Sequence, residues 1–95
     1  MNKNLLVTLV FTGFYLLLNA QSKVVLEAES YFQSEKYCEA AEKCSLAYSK
    51  LNRKGNMAKK QKGDMAFKTA ECYRMTERYR EANEWYDRAL LLDYQ

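Results

Sequence analysis

Histidine and proline are absent from this 95-residue chain, and glycine occurs only three times. Without histidine the chain lacks the residue that most often acts as a general base or ligates zinc. Neither a glycine-rich phosphate loop nor a closely paired cysteine motif is present. The sequence therefore predicts no enzyme, no metal site and no cofactor site. Since proline and glycine are the main helix breakers, their scarcity favours long helices.

The chain also carries only a small excess of positive charge. The chain has 15 Lys and Arg against 12 Asp and Glu, a formal charge of +3. This balance does not indicate a nucleic-acid partner. The length allows one small domain with a marginal core.

The first twenty residues have the pattern of a secretory signal peptide. Lys3 precedes fourteen uncharged residues, Leu5 to Leu18, and a short polar exit at Asn19. That run is shorter than the roughly 20 residues that span a membrane as a helix. The pattern predicts export and cleavage after Ala20, which leaves a chain of charge +2 because Lys3 is the only charge removed. Leu18 stands where a small residue is usual, so an uncleaved signal anchor is the alternative.

The remaining sequence contains an internal repeat with a period of 42 residues. Residues 28–47 and 70–89 align without a gap and are identical at nine of twenty positions. These identities are Ala28/Ala70, Glu29/Glu71, Tyr31/Tyr73, Glu35/Glu77, Tyr37/Tyr79, Glu39/Glu81, Ala40/Ala82, Glu42/Glu84 and Ala47/Ala89. The alignment predicts two helix pairs, whose first helices end near Gln33 and Met75 and whose second helices begin near Tyr37 and Tyr79.

Small and aromatic residues recur at helical spacing in both units. Small residues let two helices approach closely, and an aromatic three or four residues away fills the space beside them. We therefore predict packing roles for Ala28, Tyr31, Tyr37, Ala40, Cys44, Ala47, Ala70, Tyr73, Tyr79, Ala82, Tyr86 and Ala89.

This order of alanines and tyrosines resembles the tetratricopeptide repeat (TPR) family. The resemblance implies an all-α fold of two antiparallel helix-turn-helix repeats, at 21–54 and 63–95, joined by a basic connecting segment at 55–62. Cys44 replaces the aromatic residue of the second helix, and Glu35 and Glu77 stand where the family has glycine. A glutamate there predicts strain at a left-handed turn position. The period exceeds the usual 34 residues of the family.

The resemblance also implies a protein partner. First helices of the family line a concave groove that binds peptide segments. The matching positions are Val25, Glu29, Phe32, Gln33, Phe67, Glu71, Arg74 and Met75. Phe32 and Phe67 would act as apolar anchors, and the charged residues would set the register. Packing against a further repeat is the alternative for Val25 and Met75.

The segment from Lys50 to Gly63 is basic. It contains six cations, Lys50, Arg53, Lys54, Lys59, Lys60 and Lys62, and no acid. Such runs most often mark an exposed helix end, where cations complement the helix dipole. An electrostatic patch for an acidic partner or a phosphate surface is the alternative. Gly55 and Asn56 predict a helix stop, and Asp64 is a candidate cap for the next helix, unless that helix already begins near Met57.

The three cysteines, Cys38, Cys44 and Cys72, are an odd number. Cys38 and Cys44 lie on different sides of one predicted helix, so they cannot bridge each other. Buried thiols acting as small apolar residues are favoured over a Cys44–Cys72 disulfide.

A narrower resemblance extends to Bacteroidetes envelope proteins of the type IX secretion and gliding machinery, in which helical repeats precede a β-propeller and an OmpA-type domain. It rests on the Asn19-Ala20-Gln21 end of the apolar segment and on residues 66–90. It implies a periplasmic or outer-membrane-associated adaptor, the N-terminal part of a larger scaffold, in contact with the membrane only through the signal segment or a larger complex. The alternative is a structural segment that stacks on further repeats or self-associates.

Overall fold

A computed structural model describes residues 23–51 and 56–92, and within these ranges it contains four helices and no strand. The helices are α1 (Lys23–Gln33), α2 (Tyr37–Lys50), α3 (Asn56–Met75) and α4 (Tyr79–Leu91). The predicted all-α fold is confirmed. The signal segment at 1–20, and Arg53 and Lys54 of the basic segment, lie outside the described residues.

Each helix packs mainly against the next one along the chain, and α1 makes a smaller contact with α3. Three-residue turns join α1 to α2 and α3 to α4, so each pair forms an antiparallel helix hairpin. The first helices end and the second helices begin at the residues that the 42-residue alignment indicates.

The two turns have the same hydrogen bonds. The Lys36 amide donates to the Tyr31 carbonyl at 3.0 Å and the Glu35 amide to Phe32 at 3.1 Å. At the second turn the Arg78 amide donates to Tyr73 at 2.8 Å and the Glu77 amide to Arg74 at 3.1 Å. This is a Schellman arrangement, which requires a left-handed residue after the helix.

The left-handed residue is a glutamate in both turns. Glu35 has a φ of 61° and Glu77 a φ of 63°, the only positive φ values of non-glycine residues in the described ranges. A Cβ atom is unfavourable in this region, by about 1–2 kcal/mol. The strain expected from the sequence at these two positions is therefore present.

Two apolar clusters between neighbouring helices form part of the core. One holds Val25, Ala28, Cys44, Ala47 and Met65, with Val24, Tyr48 and Leu51 packed against it. The other holds Ala40, Ala41 and Cys72, enclosed by Tyr31, Phe32, Tyr37 and Tyr73. In the second cluster small residues fill the centre and aromatic rings the edge, whereas the first cluster also contains the larger Val25 and Met65.

The residues predicted to pack between helices are buried or half-buried, with one exception. The six alanines and Cys44 are buried, and Tyr31, Tyr37, Tyr73 and Tyr86 are half-buried. Tyr79 is 59% exposed, although it is the repeat equivalent of Tyr37. The physical reason is its neighbourhood. Tyr37 lies over a cluster that includes Cys72 of α3, whereas no described helix follows α4.

Helix α3 begins earlier than the predicted repeat boundary at residue 63. Residues 56–62, assigned from sequence to a connecting segment, form its first turns. Gly63 is buried inside the helix, and the Asp64 carboxylate accepts a hydrogen bond from Lys68 at 3.0 Å. Asp64 is therefore not an N-cap residue, and its charge serves an ion pair.

Candidate functional site

The groove positions that remain accessible on α1 and α3 lie on a surface centred on Lys68. We call the accessible groove positions together with Lys68 the α1–α3 surface, namely Glu29, Phe32, Gln33, Phe67, Lys68, Glu71, Arg74 and Met75. Lys68 forms ion pairs with Glu29 of α1 at 3.1 Å and with Asp64 of its own helix at 3.0 Å. Its ammonium group also lies 5.7 Å from the centre of the Phe32 ring. One lysine thus joins the two first helices.

The environment of Lys68 keeps it charged. Burial opposes its charged form, but hydrogen bonds to Asp64 and Glu29 outweigh burial and raise its pKa above the ordinary value. Two carboxylates face one ammonium group, so the three residues carry a formal charge of −1. This part of the surface is slightly acidic.

A second polar group lies on α3 and α4. The Arg74 guanidinium donates to both oxygens of Glu71, at 2.8 Å and 3.3 Å, and the Tyr86 hydroxyl donates to the same carboxylate. The hydrogen bond from Arg74 lowers the pKa of Glu71. Burial opposes this shift, and the hydrogen bond from Tyr86 adds to it. Glu71 is therefore ionised at neutral pH and held in place by two partners.

Aromatic rings lie beside both polar groups. Phe67 packs edge-on against Tyr86 at 5.8 Å, and Phe32 packs edge-on against Tyr37 at 6.1 Å. Phe67 keeps 36% of its surface exposed and Met75 is also exposed. The α1–α3 surface thus alternates accessible apolar side chains with ordered charges.

One of the groove positions predicted from sequence is placed differently. Val25 is 8% exposed and belongs to the core cluster with Met65, so no ligand on the surface can reach it. Burial under α2 and α3 explains its position, in agreement with the packing alternative. Gln33 is exposed at the last residue of α1. Met75 occupies the matching place at the end of α3.

Lys68 was not among the predicted groove residues. Its repeat equivalent is Leu26, so the alignment draws no attention to it. The spacing of Asp64 and Lys68, four residues apart in a helix, is a signal that could have indicated an ion pair. Its contact with Glu29 depends on how α1 lies against α3.

The basic residues lie elsewhere. Lys50 ends α2, and Lys59, Lys60 and Lys62 are in the first turns of α3. The Lys62 ammonium group lies 4.7 Å from the centre of the Tyr48 ring. These residues are not part of the α1–α3 surface.

The three cysteines are free thiols. Cys38 is exposed, whereas Cys44 and Cys72 are fully buried. The neighbouring Cys72 thiol, together with burial, raises the pKa of Cys44 far above its usual range. Cys44 is therefore protonated and packs as a small apolar residue.

Among residues 23–51 and 56–92, no group of three or more cysteine, aspartate or glutamate side chains could hold a metal ion. In the same part of the chain, none of the helices combines the length and apolarity needed to cross a bilayer.

Comparisons with protein-family models, with curated proteins and with solved structures find no match to the chain.

Proposed function

We propose that the chain is a non-enzymatic, TPR-like module that binds a protein segment on the α1–α3 surface. The observation that carries the proposal is the bridge made by Lys68. It joins Glu29 of α1 to α3 and lies over Phe32, so the two first helices share one continuous surface. A linear peptide that crosses both helices suits such a surface better than a small molecule does.

The composition of the α1–α3 surface supports a peptide ligand. Phe67 and Met75 offer accessible apolar area, the property expected of anchor positions. Between them Glu71 and Arg74 form a bidentate pair. Ordered charges of this kind select partner and register more than they add affinity.

Site-specific photo-cross-linking tests the proposal. A photoreactive amino acid replaces Phe67 in one variant and the exposed Glu84 of α4 in the other, and both are expressed in cells with an intact envelope. We expect a discrete protein adduct from position 67 that position 84 does not give. Mass spectrometry then identifies the cross-linked peptide.

Affinity measurements with that peptide complete the test. Arg74→Glu should weaken binding by about tenfold or more, because it places a like charge beside Glu71. Arg80→Glu is the matched control, since Arg80 is equally exposed but lies on α4. Equal losses in the two variants would mean that the peptide does not bind the α1–α3 surface.

We further propose that the module is exported and acts in the periplasm or at the outer membrane, as the N-terminal part of a larger secretion-associated scaffold. The support is the signal-peptide pattern of residues 1–20 and the resemblance of the repeats. N-terminal sequencing of protein made in a secreting host should begin at Gln21. Membrane-bound protein that retains Met1 would instead indicate an anchor.

A structural role in stacking is the second candidate function. It is favoured by the outer side of α4, where Tyr79 is 59% and Leu90 67% exposed. Such residues gain by packing on a further helix or a second copy. Sedimentation and thermal melts over about a hundredfold range of protein concentration distinguish the candidates. A melting temperature that rises with concentration supports stacking, and a constant one supports the binding module alone.

A further inference from the structure

The helix topology separates charge along the long axis of the molecule. The starts of α1 and α3 and the ends of α2 and α4 lie at the same end, because consecutive helices are antiparallel. In the described residues this end comprises residues 23–26, 48–51, 58–63 and 88–92, which contain no acidic residue, while Glu27, Asp64 and Asp87 lie directly next to these segments. We call it the basic end, after its cations Lys23, Lys50, Lys59, Lys60, Lys62 and Arg88.

The opposite end has no such excess. Its turns and flanking residues mix acids with cations, as in the ion pair between Arg78 and Glu81 at 2.6 Å. The asymmetry therefore comes from the placement of charge and not from overall composition. It produces a cationic surface that faces away from the turns.

Aromatic rings lie in or beside the basic end and contact two of its cations. Tyr48 of α2 and Trp85 of α4 pack edge-on with ring centres 5.0 Å apart. Lys62 lies 4.7 Å from the Tyr48 ring, and the Arg88 guanidinium lies 4.2 Å from the Trp85 ring. Tryptophan and tyrosine beside lysine and arginine are the residues that accumulate at the surface of a bilayer.

Two leucines next to these residues are open to solvent. Leu90 is 67% and Leu91 82% exposed, and both belong to the last turn of α4, beside Arg88. An acidic polypeptide would account for the cations, but it has no particular need for neighbouring exposed leucines. A lipid surface accounts for both, since leucines enter the headgroup region while cations remain at the phosphates.

The sequence before α1 favours the same orientation. The apolar run ends at Leu18 and α1 begins at Lys23, so four residues, 19–22, separate them. Four residues reach at most about 14 Å. Wherever the apolar run is retained in a bilayer, the basic end is therefore the part of the domain closest to the lipid headgroups.

We propose that the basic end docks on an anionic lipid surface, with Lys50, Lys60 and Arg88 facing the phosphates and Leu91 at the headgroup level. This contact is separate from the α1–α3 surface and does not depend on the peptide-binding proposal. It leaves the α1–α3 surface free for a protein partner.

Tryptophan fluorescence tests the contact directly, because Trp85 is the only tryptophan in the chain. The exported form that begins at Gln21 is mixed with vesicles of phosphatidylcholine alone, or with about 30% phosphatidylglycerol, with bromine atoms near the headgroup end of the acyl chains. We expect quenching of Trp85 to be at least about twofold stronger in the anionic vesicles.

Two pairs of variants identify the contact residues. Lys50→Glu with Lys60→Glu should abolish the preference for anionic vesicles, whereas Lys36→Glu with Arg80→Glu, an equal charge change at the opposite end, should preserve it. Leu91→Ser should reduce quenching, whereas Leu46→Ser, at an exposed leucine of α2, should not. All six positions are exposed, so circular dichroism should find every variant folded.

Three results would overturn the proposal. The first is equal quenching in neutral and anionic vesicles. The second is an anionic preference that survives the Lys50 and Lys60 changes. The third is binding to polyglutamate that requires these lysines while vesicles show no preference, which would assign the basic end to an acidic protein instead.

Discussion

The hairpins α1–α2 and α3–α4 are built alike at their turns and differ in what covers them. Both turns have the same hydrogen bonds and a left-handed glutamate. However, α2 packs between α1 and α3, whereas α4 packs along α3 and touches α2 through the Tyr48–Trp85 ring contact. The outer side of α4 has no described neighbour. Local sequence thus determines the turn, and neighbouring helices determine burial.

Equivalent residues of the two hairpins show the difference most directly. Val25 is 8% exposed and its equivalent Phe67 is 36% exposed. Tyr37 is half-buried, and its equivalent Tyr79 is mostly exposed. In each pair the member in the first hairpin is covered by residues of α3. At these two pairs of positions, contact with α3 buries the residue of the first hairpin and leaves its equivalent in the second hairpin accessible.

Overpacking the small positions should have the largest effect. Ala40 is fully buried and enclosed by side chains of α1, α2 and α3. We expect Ala40→Leu to cost about 3 kcal/mol of unfolding free energy, and Ala82→Leu about 1–2 kcal/mol, because α4 can move outward. Urea denaturation monitored by circular dichroism measures both values.

The exposed Glu84 is the control position for these substitutions. Glu84→Ala should leave the free energy of unfolding within about 0.5 kcal/mol of the wild type. A loss equal to that of Ala82→Leu would show that the faces of α4 are assigned incorrectly.

Removing the first tyrosine of each second helix should have the next largest effect. Tyr37 packs on Phe32 at 6.1 Å and on the cluster around Cys72. We expect Tyr37→Ala to cost about 1–2 kcal/mol and Tyr79→Ala less than about 0.5 kcal/mol. Thermal melts of the two variants test this. Similar shifts in melting temperature would indicate that Tyr79 is covered in solution by a second copy or another element.

The sequence predicts those features of the fold that depend on residues close together in the chain. Helix ends at Gln33 and Met75 follow from the alignment, because the same turn contacts recur 42 residues apart. Burial of the alanines follows as well, because small residues on an inner helix face let the neighbouring helix approach closely enough to exclude water. The sequence leaves the start of α3 open, because Gly55, Gly63 and Asp64 can each mark a boundary between helices.

Contacts between sequence-distant helices could not be predicted in the same way. Lys68 contacts Glu29 and Phe32 because α1 lies beside α3, and nothing in its local sequence specifies that geometry. The basic end arises similarly, from four separate segments that the antiparallel topology brings together. Peptide binding on the α1–α3 surface stays a prediction.

Replacing the strained glutamate of each turn by glycine should change the stability of the domain by the same amount in both hairpins. Glycine adopts a positive φ without the steric conflict of a Cβ atom, but it also gives the unfolded chain more freedom. We therefore expect Glu35→Gly and Glu77→Gly each to stabilise the domain by up to about 1 kcal/mol. Equilibrium denaturation is the measurement. Glu35→Ala and Glu77→Ala are the controls, since alanine keeps the Cβ atom, and a gain from alanine would point to charge instead of strain.

The smallest effect should be a loss of folding stability at acidic pH, which arises in the second hairpin. The hydrogen bond from Arg74 lowers the pKa of Glu71 in the folded state. The corresponding stability is present above the ordinary glutamate pKa and is lost as pH falls through the lower folded value. The wild type should therefore lose about 0.5 kcal/mol more than Glu71→Gln between about pH 6 and pH 3.

Glu84→Gln is the matched control for this titration, because Glu84 is exposed on α4. It should keep the acid sensitivity of the wild type. If Glu71→Gln and Glu84→Gln have the same pH profile, the pair formed by Glu71 and Arg74 does not contribute to stability.

The different exposure of the three thiols allows opening of the domain to be measured by thiol labelling. Cys38 is exposed beside the first turn, whereas Cys44 and Cys72 are fully buried between α1, α2 and α3. A maleimide dye should attach once to the folded protein and three times to the unfolded one. Mass spectra recorded over time then give the rate at which the interior becomes accessible, without any engineered probe. The single fast-reacting thiol also places a dye at the end opposite the basic end, where it can measure distance to a surface without touching it.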